Sequence, residues 1–459
     1  MPPTPVDRRY VSAIGDVPAE KNVPASPGPL GSLDTEDTED TAPVSVAEAY
    51  RLVRSSALAD SAVGAVGLEL EAHVVDLKDP SAVVSWDRLE PLPRNARYAA
   101  RLSAVTREPG GQLELSGVPQ PAVSAAVEAL RNDAQRVRAA LAPHGVGLVC
   151  TGTDPLRPSQ RTNPRARYRA MEQHFAATGR AGPGAVTMNS TASIQVNLNA
   201  GPEREWAERV ARAHRLGPTL VAISANSPWL HGRATGWKSA RQCTWLGLDQ
   251  RSCGPVPGAY SSAAGTHGLD PASAWARFAL RAPVLFVATS DDDVTAVRTP
   301  VTFEQWARGE ILPHGRLPTA FDLSLHLTTL FPPVRLRGFL ELRYLDASPA
   351  AWWPAVVAVA TTLMDDPVAA DLAAEATENS GHLWLEAARD GLADVRLAGS
   401  ARRCLRIAAD RVPAELSDEV AKLAELVESG RSPGDLLAQR IAHVGPARAF
   451  AELAEPSAV

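Results

Sequence analysis

The sequence predicts an α+β protein in which strands with carboxylates on one face pack against helices. Residues 65–75 are mostly aliphatic or β-branched and fit no helical period, which indicates a strand. Residues 191–199 alternate strictly between polar and apolar side chains, as a strand with one buried face does. Helical composition is found in four other segments, which are 122–142, 203–214, 350–364 and 367–389.

The first predicted strand carries two acidic residues, Glu69 and Glu71, within an apolar segment. Side chains alternate faces along a strand, so both carboxylates point the same way, about 6.6 Å apart by the strand rise. Two anions at that separation repel by about 2.5 kcal/mol at an effective dielectric constant of ~20. A solvated strand face is one interpretation. A cation between the two groups, or a proton on one of them, is the other.

Two more segments repeat the acidic pattern. Glu108 and Glu114 flank a Pro-Gly-Gly turn signal, and the residues after the turn alternate as a strand does. Glu341 and Arg343 share one face of a further predicted strand, 339–346. A single Glu-x-Arg is most often a surface ion pair of little energetic weight. Five glutamates on such strands instead predict a sheet face that could hold hard cations through oxygen ligands.

The strand at 191–199 supplies neutral polar groups. Its polar face includes Gln195 and Asn197, and its apolar face includes Ile194 and Val196. The pattern is typical of an ordinary half-exposed strand. The functional alternative is a sheet face whose amide groups hydrogen-bond a polar small molecule.

Composition excludes several classes of protein. Hydrophobic residues make up 45% of the 459 residues, enough for a sizeable core. The net charge of −6 argues against a nucleic-acid-binding protein, which would carry a basic stripe. No apolar run approaches ~20 residues, so no membrane span is expected, and the N-terminus has no hydrophobic signal core. The four cysteines show no Cys-x-x-Cys spacing, which favours a reduced cytoplasmic protein without a thiolate metal site.

The chain divides into a tail and one large body. Residues 1–43 are rich in Pro, Gly, Ser and acidic residues and are predicted to be a disordered tail. Residues 44–459 are expected to form a single catalytic domain, with a helical C-terminal part at about 401–453. Residues 261–268 carry Gly, Ser and Ala without a period and are predicted to be a loop.

Common nucleotide-binding loops are missing from the sequence. Residues 232–239 resemble a phosphate loop, but Trp237 separates Gly236 from Lys238, so the P-loop pattern fails. No Gly-x-Gly-x-x-Gly opens a helix. Any use of a nucleotide would therefore depend on metal ions, and Mg²⁺ prefers carboxylates together with substrate phosphates.

Six motifs follow one another along the chain, and they are Val66–Glu71, Glu108–Ser116, Gln195–Leu198, Gly236–Trp245, His326–Pro332 and Leu340–Arg343. In this order they resemble the motifs of plant-like glutamate–cysteine ligases, and most closely those of the actinobacterial branch that serves ergothioneine synthesis. Two runs, 152–158 and 222–228, look like that branch in particular. The likeness covers roughly residues 45–445.

The resemblance implies a glutamine synthetase-like catalytic domain built on a curved antiparallel sheet. It also implies ATP- and Mg²⁺-dependent ligation of the glutamate γ-carboxylate to the cysteine amine through a γ-glutamyl phosphate. Two alternatives stay open. One is a related carboxylate–amine ligase with a different acceptor amine, and the other is a nucleotide- or metal-binding homologue without turnover.

Roles for individual residues follow from this likeness. Arg343 would clamp the transferred phosphate, and Arg241 would bind a substrate carboxylate as a bidentate fork. His326 is either a substrate contact or a satisfied structural histidine. The partners would be small-molecule substrates of a cytoplasmic monomer, with neither nucleic acid nor membrane. The expected metal ligands are Glu69, Glu71, Glu108, Glu114 and Glu341, and the amino-acid pocket would be lined by Gln195 and Asn197.

Overall fold

The computed structural model describes residues 42–92, 99–258, 270–289 and 293–454. The predicted tail, 1–43, lies outside the described residues except for its last two positions, and the predicted loop 261–268 lies wholly outside them. At the edge of the described chain, Pro43 forms an isolated antiparallel bridge with Thr319.

A seven-stranded antiparallel sheet forms the centre of the fold. Six strands follow the order β10-β11-β5-β1-β3-β2, and β4 pairs with the second half of β1. Two hairpins, β6–β7 and β8–β9, lie outside this sheet. The strands are β1 Val66–Asp76, β2 Ser103–Arg107, β3 Leu113–Gly117, β4 Val146–Val149, β5 Ser193–Asn199, β6 Trp229–Leu230, β7 Arg233–Ala234, β8 Phe286–Ala288, β9 Val294–Ala296, β10 Val334–Leu336 and β11 Phe339–Asp346.

Helices account for most of the remaining described chain. They are α1 Val46–Ala57, α2 Trp86–Leu89, α3 Val123–Leu141, α4 Ala166–Ala177, α5 Ala181–Asn189, α6 Trp206–Ser224, α7 Ala240–Leu246, α8 Gln250–Cys253, α9 Pro271–Arg281, α10 Phe303–Ala307, α11 Ala320–Leu327, α12 Trp353–Asp365, α13 Pro367–Ala376, α14 Trp384–Arg389, α15 Val395–Ala409, α16 Ser417–Glu428, α17 Pro433–Val444 and α18 Pro446–Ala454.

The apolar face of the sheet is the main core. Alternation places Leu68, Val196 and Leu340 on this face, and all three are buried. Helices α3, α6 and α12 pack against β1, β11 and β5 respectively. Because α12 reads Trp-Pro-Ala-Val-Val-Ala-Val-Ala, it is apolar on every side and is buried almost completely. The predicted α+β class, strands backed by helices, is confirmed.

The C-terminal region predicted to be helical lies in α15–α18. Among the described residues, no helix is both long enough and apolar enough to cross a membrane. The assignment of 44–459 to a single catalytic domain stays a prediction.

Candidate active site

The polar face of the central sheet brings the predicted acidic residues together. On this face Glu69 lies opposite Gln195 of β5 and Ser116 of β3, and Glu71 lies opposite Glu114. Cross-strand partners share a face, so the alternation in each strand produces a continuous carboxylate surface. The order of the strands, which alternation alone does not give, puts β1 between the amides of β5 and Glu114 of β3.

The two amides predicted to line an amino-acid pocket contact the carboxylates directly. Asn197 Nδ2 donates to Glu69 Oε1 at 2.9 Å, and Gln195 Nε2 donates to Glu71 Oε1 at 3.2 Å. The backbone N–H of Ser193 donates to the other oxygen of Glu71 at 2.7 Å. The amides therefore fix the orientation of both carboxylates, and whether they also bind a substrate stays a prediction.

The Pro-Gly-Gly turn holds Glu108 near the same cluster. The Glu108 N–H donates to the Gln112 carbonyl at 2.8 Å, which closes the turn. Gly110 lies against the backbone of α5, where a Cβ would come within 2.2 Å of the Asn189 carbonyl oxygen, so only glycine fits. Beyond the turn, Glu114 accepts from Ser116 Oγ at 2.7 Å.

The pKa values of the clustered acids are raised, so their ionisation in the folded protein is unfavourable. Burial, and then the charges of Glu114 and Glu341, raises the pKa of Glu69 to about 7. Burial and the neighbouring acids Glu114 and Glu71 raise the pKa of Glu108 well above its usual value. Burial also raises the pKa values of Glu71 and Glu114. A bound cation would stabilise the ionised forms of these four acids and lower their pKa values.

The part of the chain that the structure describes contains no ready-made group of three or more His, Cys, Asp or Glu side chains that could hold a metal ion. Mg²⁺ is usually held by one or two carboxylates, with waters and substrate phosphates completing its octahedron. The oxygen donors of Glu69, Glu71, Glu108 and Glu114 suit such an ion chemically.

Glu341 differs from the other four acids in its partners, and its expected role as a metal ligand stays a prediction. Both of its oxygens are taken by arginines. Arg335 forks onto the carboxylate, with Nη2 at 2.9 Å, and Arg343 and Arg337 approach at 3.2 and 3.4 Å. Burial would raise the pKa of Glu341, but the three guanidinium groups outweigh it and hold that pKa far below the usual range. Glu341 is therefore the counter-ion that gathers a cluster of arginines.

Arg335 and Arg337 were not among the residues predicted from the sequence. Arg335 lies directly opposite Glu341 in the β10–β11 hairpin. The signal was present in the run Val334-Arg335-Leu336-Arg337, where two arginines share a strand face immediately before the hairpin turn. With Arg343, these residues form a cationic edge beside the carboxylate surface, and such an edge suits a phosphate.

Arg241 approaches the same cleft from α7. Its Nη2 donates to the Arg343 carbonyl at 2.7 Å. The side chain is 97% buried, since its exposed fraction is 3%, yet Nε and Nη1 have no hydrogen-bond partner among the described residues. Burial lowers the pKa of Arg241, although the charges of Asp346 and Glu71 oppose this effect. Leaving buried N–H groups without a hydrogen-bond acceptor costs free energy. A carboxylate ligand could accept from both of these groups at once.

His326 lies in the helical layer instead. Its Nε2 is 2.8 Å from the Ala279 carbonyl oxygen, and its ring stacks on Phe303 at a centroid distance of 5.2 Å. Within the described ranges, no contact joins His326 to the carboxylate surface. Burial lowers its pKa to about 4, so the ring is neutral at physiological pH. These contacts favour the structural interpretation of His326, although its buried Nδ1 has no hydrogen-bond partner among the described residues. The role of substrate contact stays a prediction.

Comparisons with known proteins agree with this geometry. Residues 65–452 match the model of glutamate–cysteine ligase family 2 (GCS2). The chain belongs to this family. It is 50% identical over 411 residues to the glutamate–cysteine ligase EgtA of Mycolicibacterium smegmatis, covering 90% of this chain and 95% of that relative. EgtA of Mycobacterium tuberculosis is 50% identical over 406 residues, covering 86% of this chain and 90% of the relative.

A solved structure supports the fold. The glutamate–cysteine ligase of Francisella tularensis, crystallised in complex with AMP, aligns with a TM-score of 0.53 at 12% identity. The alignment covers 86% of this chain and 88% of that chain. The family match and the two EgtA relatives confirm the resemblance stated from the sequence motifs, including that to the actinobacterial branch.

Proposed function

We propose that this protein joins the γ-carboxylate of glutamate to the amine of cysteine at the expense of ATP, for ergothioneine biosynthesis. The observation that carries the proposal is the 50% identity to EgtA ligases over 95% of the length of one relative. The sheet face supports it independently, since strained carboxylates beside an arginine cluster suit a metal–triphosphate.

The chemical need for ATP follows from the substrate. A carboxylate is a poor electrophile because its leaving group would be oxide. Phosphorylation of the γ-carboxylate gives a γ-glutamyl phosphate, from which phosphate leaves readily after the amine attacks. The tetrahedral anion formed in that attack requires positive charge and hydrogen-bond donors nearby.

The chain's own residues divide this work. Arg343, held between Gln195 and Glu341, grips the phosphoryl group during transfer. Arg241 receives the α-carboxylate of glutamate on its free N–H groups. Glu69 and Glu71, oriented by the β5 amides, would hold Mg²⁺ with help from Glu108 and Glu114. Bound Mg²⁺ would neutralise charge on the triphosphate.

One assay tests the proposal against its alternatives. Purified protein receives ATP, Mg²⁺ and glutamate with a panel of amino acids, and phosphate release and dipeptide are measured together. We expect one γ-linked product with cysteine for each phosphate released. A good product with another amine would overturn the acceptor assignment. The absence of any glutamate-dependent phosphate release would leave a non-catalytic homologue.

A matched pair of variants links the activity to the sheet face. Glu71→Gln keeps the shape of the side chain and removes its charge, so turnover should fall by about a hundredfold or more, which corresponds to roughly 3 kcal/mol. Glu172→Gln makes the same change on α4, where Glu172 only pairs with Arg161. We expect its turnover to match the unmodified protein. Equal turnover in both variants would contradict a role for the carboxylate surface.

The proposal extends to the state of the protein in the cell. All four cysteines are free thiols, which suits a reducing cytoplasm. We also propose that the protein is a monomer. Light scattering on the purified protein tests the monomer, and a stable dimer would contradict it.

A further inference from the structure

Asp346, the last residue of β11, has a carboxylate sealed inside the protein. Its exposed fraction is 1%. One oxygen, Oδ2, accepts from the Asn226 N–H at 2.9 Å and from Ser227 Oγ at 2.6 Å. The other, Oδ1, accepts from Ser239 Oγ at 2.9 Å. Gly152 packs on the carboxylate so closely that a Cβ there would lie 2.5 Å from the Asp346 Cγ, so the glycine is required.

These hydrogen bonds place the first turn of α7. Ser239 is the N-cap of α7, and its Oγ also accepts from the Gln242 N–H at 3.2 Å. Ser227 Oγ accepts from the Arg241 N–H at 3.2 Å. Each hydroxyl therefore donates to Asp346 and accepts from α7. The backbone position of Arg241 is thus set through Asp346.

The same helix is attached to the irregular part of β11. The register of β11 against β5 shifts between Leu342 and Leu345. Two α7 side chains bind carbonyls within this shift. Arg241 Nη2 donates to the carbonyl of Arg343 at 2.7 Å, and Gln242 Nε2 donates to that of Tyr344 at 2.8 Å. A strand irregularity of this kind re-aims side chains, and here it lies at Arg343.

The charge of Asp346 has a second consequence for Arg241. Asp346 Oδ1 lies 3.8 Å from Arg241 Nη1, close enough to be a counter-ion but too far for a hydrogen bond. In the described chain no other carboxylate comes within 4.0 Å of this guanidinium. Asp346 therefore compensates the buried charge while leaving Nε and Nη1 without a partner.

We infer that Asp346 is a positioning residue that compensates the buried charge of Arg241 and orients its side chain, with two N–H groups free to receive the α-carboxylate of glutamate. This inference rests on the proposed function, because glutamate is the substrate assumed. Asp346 has no contact with substrate in this scheme and acts only through Arg241. Its loss should therefore weaken glutamate binding much more than it affects ATP or cysteine.

Asp346→Asn is the variant that tests this. Asparagine keeps the volume but loses the charge, and one oxygen becomes an NH₂ donor. The Asn226 N–H can only donate, so the remaining oxygen must face it, and the NH₂ group then faces Ser239 and Arg241. We expect the KM for glutamate to rise about tenfold or more, while kcat and the KM for ATP and cysteine change less than about threefold.

Asp365→Asn is the matched control. Asp365, the last residue of α12, pairs with the buried Arg209 at 2.8 Å, and its side chain is 12% exposed. The variant therefore also neutralises a largely buried aspartate beside an arginine. Its melting temperature should fall, but its KM for glutamate should match the unmodified protein. A loss of stability alone would affect both variants alike.

A double-mutant cycle shows whether Asp346 acts through Arg241. Arg241→Lys removes the planar fork, so Asp346→Asn should add less than about twofold to the glutamate KM in that background. Full additivity would overturn the inference. Should Asp346→Asn fail to fold, Ser239→Ala removes the donor to Oδ1 together with the N-cap acceptor of α7, and we expect a rise of about threefold in the glutamate KM. An unchanged KM in folded Ser239→Ala would also overturn it.

The outcomes separate this inference from the proposed function. If the unmodified protein forms γ-glutamylcysteine and Asp346→Asn keeps its glutamate KM, the positioning role is wrong and the function stands. If the unmodified protein shows no glutamate-dependent turnover, both are overturned.

Discussion

Arg343 and Gln195 are joined across β11 and β5 by a 2.7 Å hydrogen bond from Nη1 to Oε1. The other end of the same amide donates to Glu71 at 3.2 Å. One glutamine therefore connects the arginine cluster to the carboxylate surface. Its amide orientation is determined, because only the oxygen can accept from the guanidinium and only the nitrogen can donate to the carboxylate.

Gln195→Met would break this connection while keeping the length of the side chain. Arg343 would retain Glu341, and Glu71 would retain the Ser193 N–H, so the fold should survive at a cost of about 1–3 kcal/mol. We expect turnover to fall by about tenfold or more, since both functional groups lose their alignment. Steady-state kinetics and urea unfolding measure the two effects.

The control for this change lies on the same strand. Asn199 shares the face of Gln195, but its amide donates to the Ala62 carbonyl at the exposed end of β5. Asn199→Ala should keep turnover within about twofold. A comparable loss of turnover in both variants would mean that any disturbance of β5 is harmful, and the connecting role of Gln195 would be discarded.

Glu69 and Glu341 should respond oppositely to neutralisation. Without Mg²⁺ at pH 8, Glu69→Gln removes a charge that its neighbours repel and keeps an oxygen for the Asn197 amide, so the free energy of unfolding should stay constant or increase. Glu341→Gln leaves three arginines without their shared counter-ion, and the same free energy should fall by about 3 kcal/mol. Urea unfolding in the presence of a chelator measures both.

If Glu341 instead behaves as one more repelled acid, both variants will shift the unfolding midpoint in the same direction. That result would favour the role expected for Glu341 from the family resemblance, as a metal ligand.

The carboxylate surface could be anticipated from sequence because alternation along a strand is local. Glu69 and Glu71 must share a face wherever β1 lies. Strand order is not local, and this is why the sequence did not show that Asn197 would meet Glu69. The contact depends on β5 pairing with β1 across 128 residues of chain.

The arginines illustrate a different limit. Glu341 and Arg343 were correctly placed on one strand face, but their partner Arg335 lies six residues before Glu341, on the other arm of a hairpin. The pattern of a single strand does not show the pair of Arg335 and Glu341, whereas a hairpin over residues 334–346 predicts it. The contact of Asp346 with Ser227 spans 119 residues and has no local signal at all.

The pH dependence of stabilisation by Mg²⁺ tests the strained acids. The pKa of Glu69 is about 7 in the folded chain, whereas the ordinary pKa of a glutamate is 4.5. Between these values the folded state binds more protons than the unfolded state, so the free energy of unfolding falls as pH rises. Mg²⁺ needs the ionised acids and should reverse this loss.

The expected result is a Mg²⁺-induced increase in melting temperature that is near zero at pH 5 and grows to a few degrees by pH 8. Comparing each pH with and without Mg²⁺ cancels the opposite trend from buried histidines such as His214 and His326, whose pKa values are lowered by burial. Differential scanning fluorimetry is sufficient. In Glu69→Gln, the Mg²⁺-induced increase in melting temperature should depend less on pH. An increase that is independent of pH in the unmodified protein would mean that the cation binds elsewhere.

Arg343→Lys tests the phosphoryl clamp. Gln195 and Glu341 hold Arg343 beside the acids that would bind Mg²⁺. Arg343 and Mg²⁺ would repel each other, and a triphosphate between them would supply the negative charge that attracts both. Lysine keeps one positive charge and loses the planar fork. Loss of an interaction made mainly in the transition state lowers kcat, so kcat should fall by about a hundredfold while the KM for glutamate changes less than about threefold.

The measurement is steady-state kinetics with glutamate, cysteine and ATP varied in turn. The control is Arg161→Lys, because the partner of Arg161 is Glu172 on α4. A variant that raises only the glutamate KM would show that Arg343 holds the ground-state amino acid, and the clamp would then be assigned to Arg335 or Arg337.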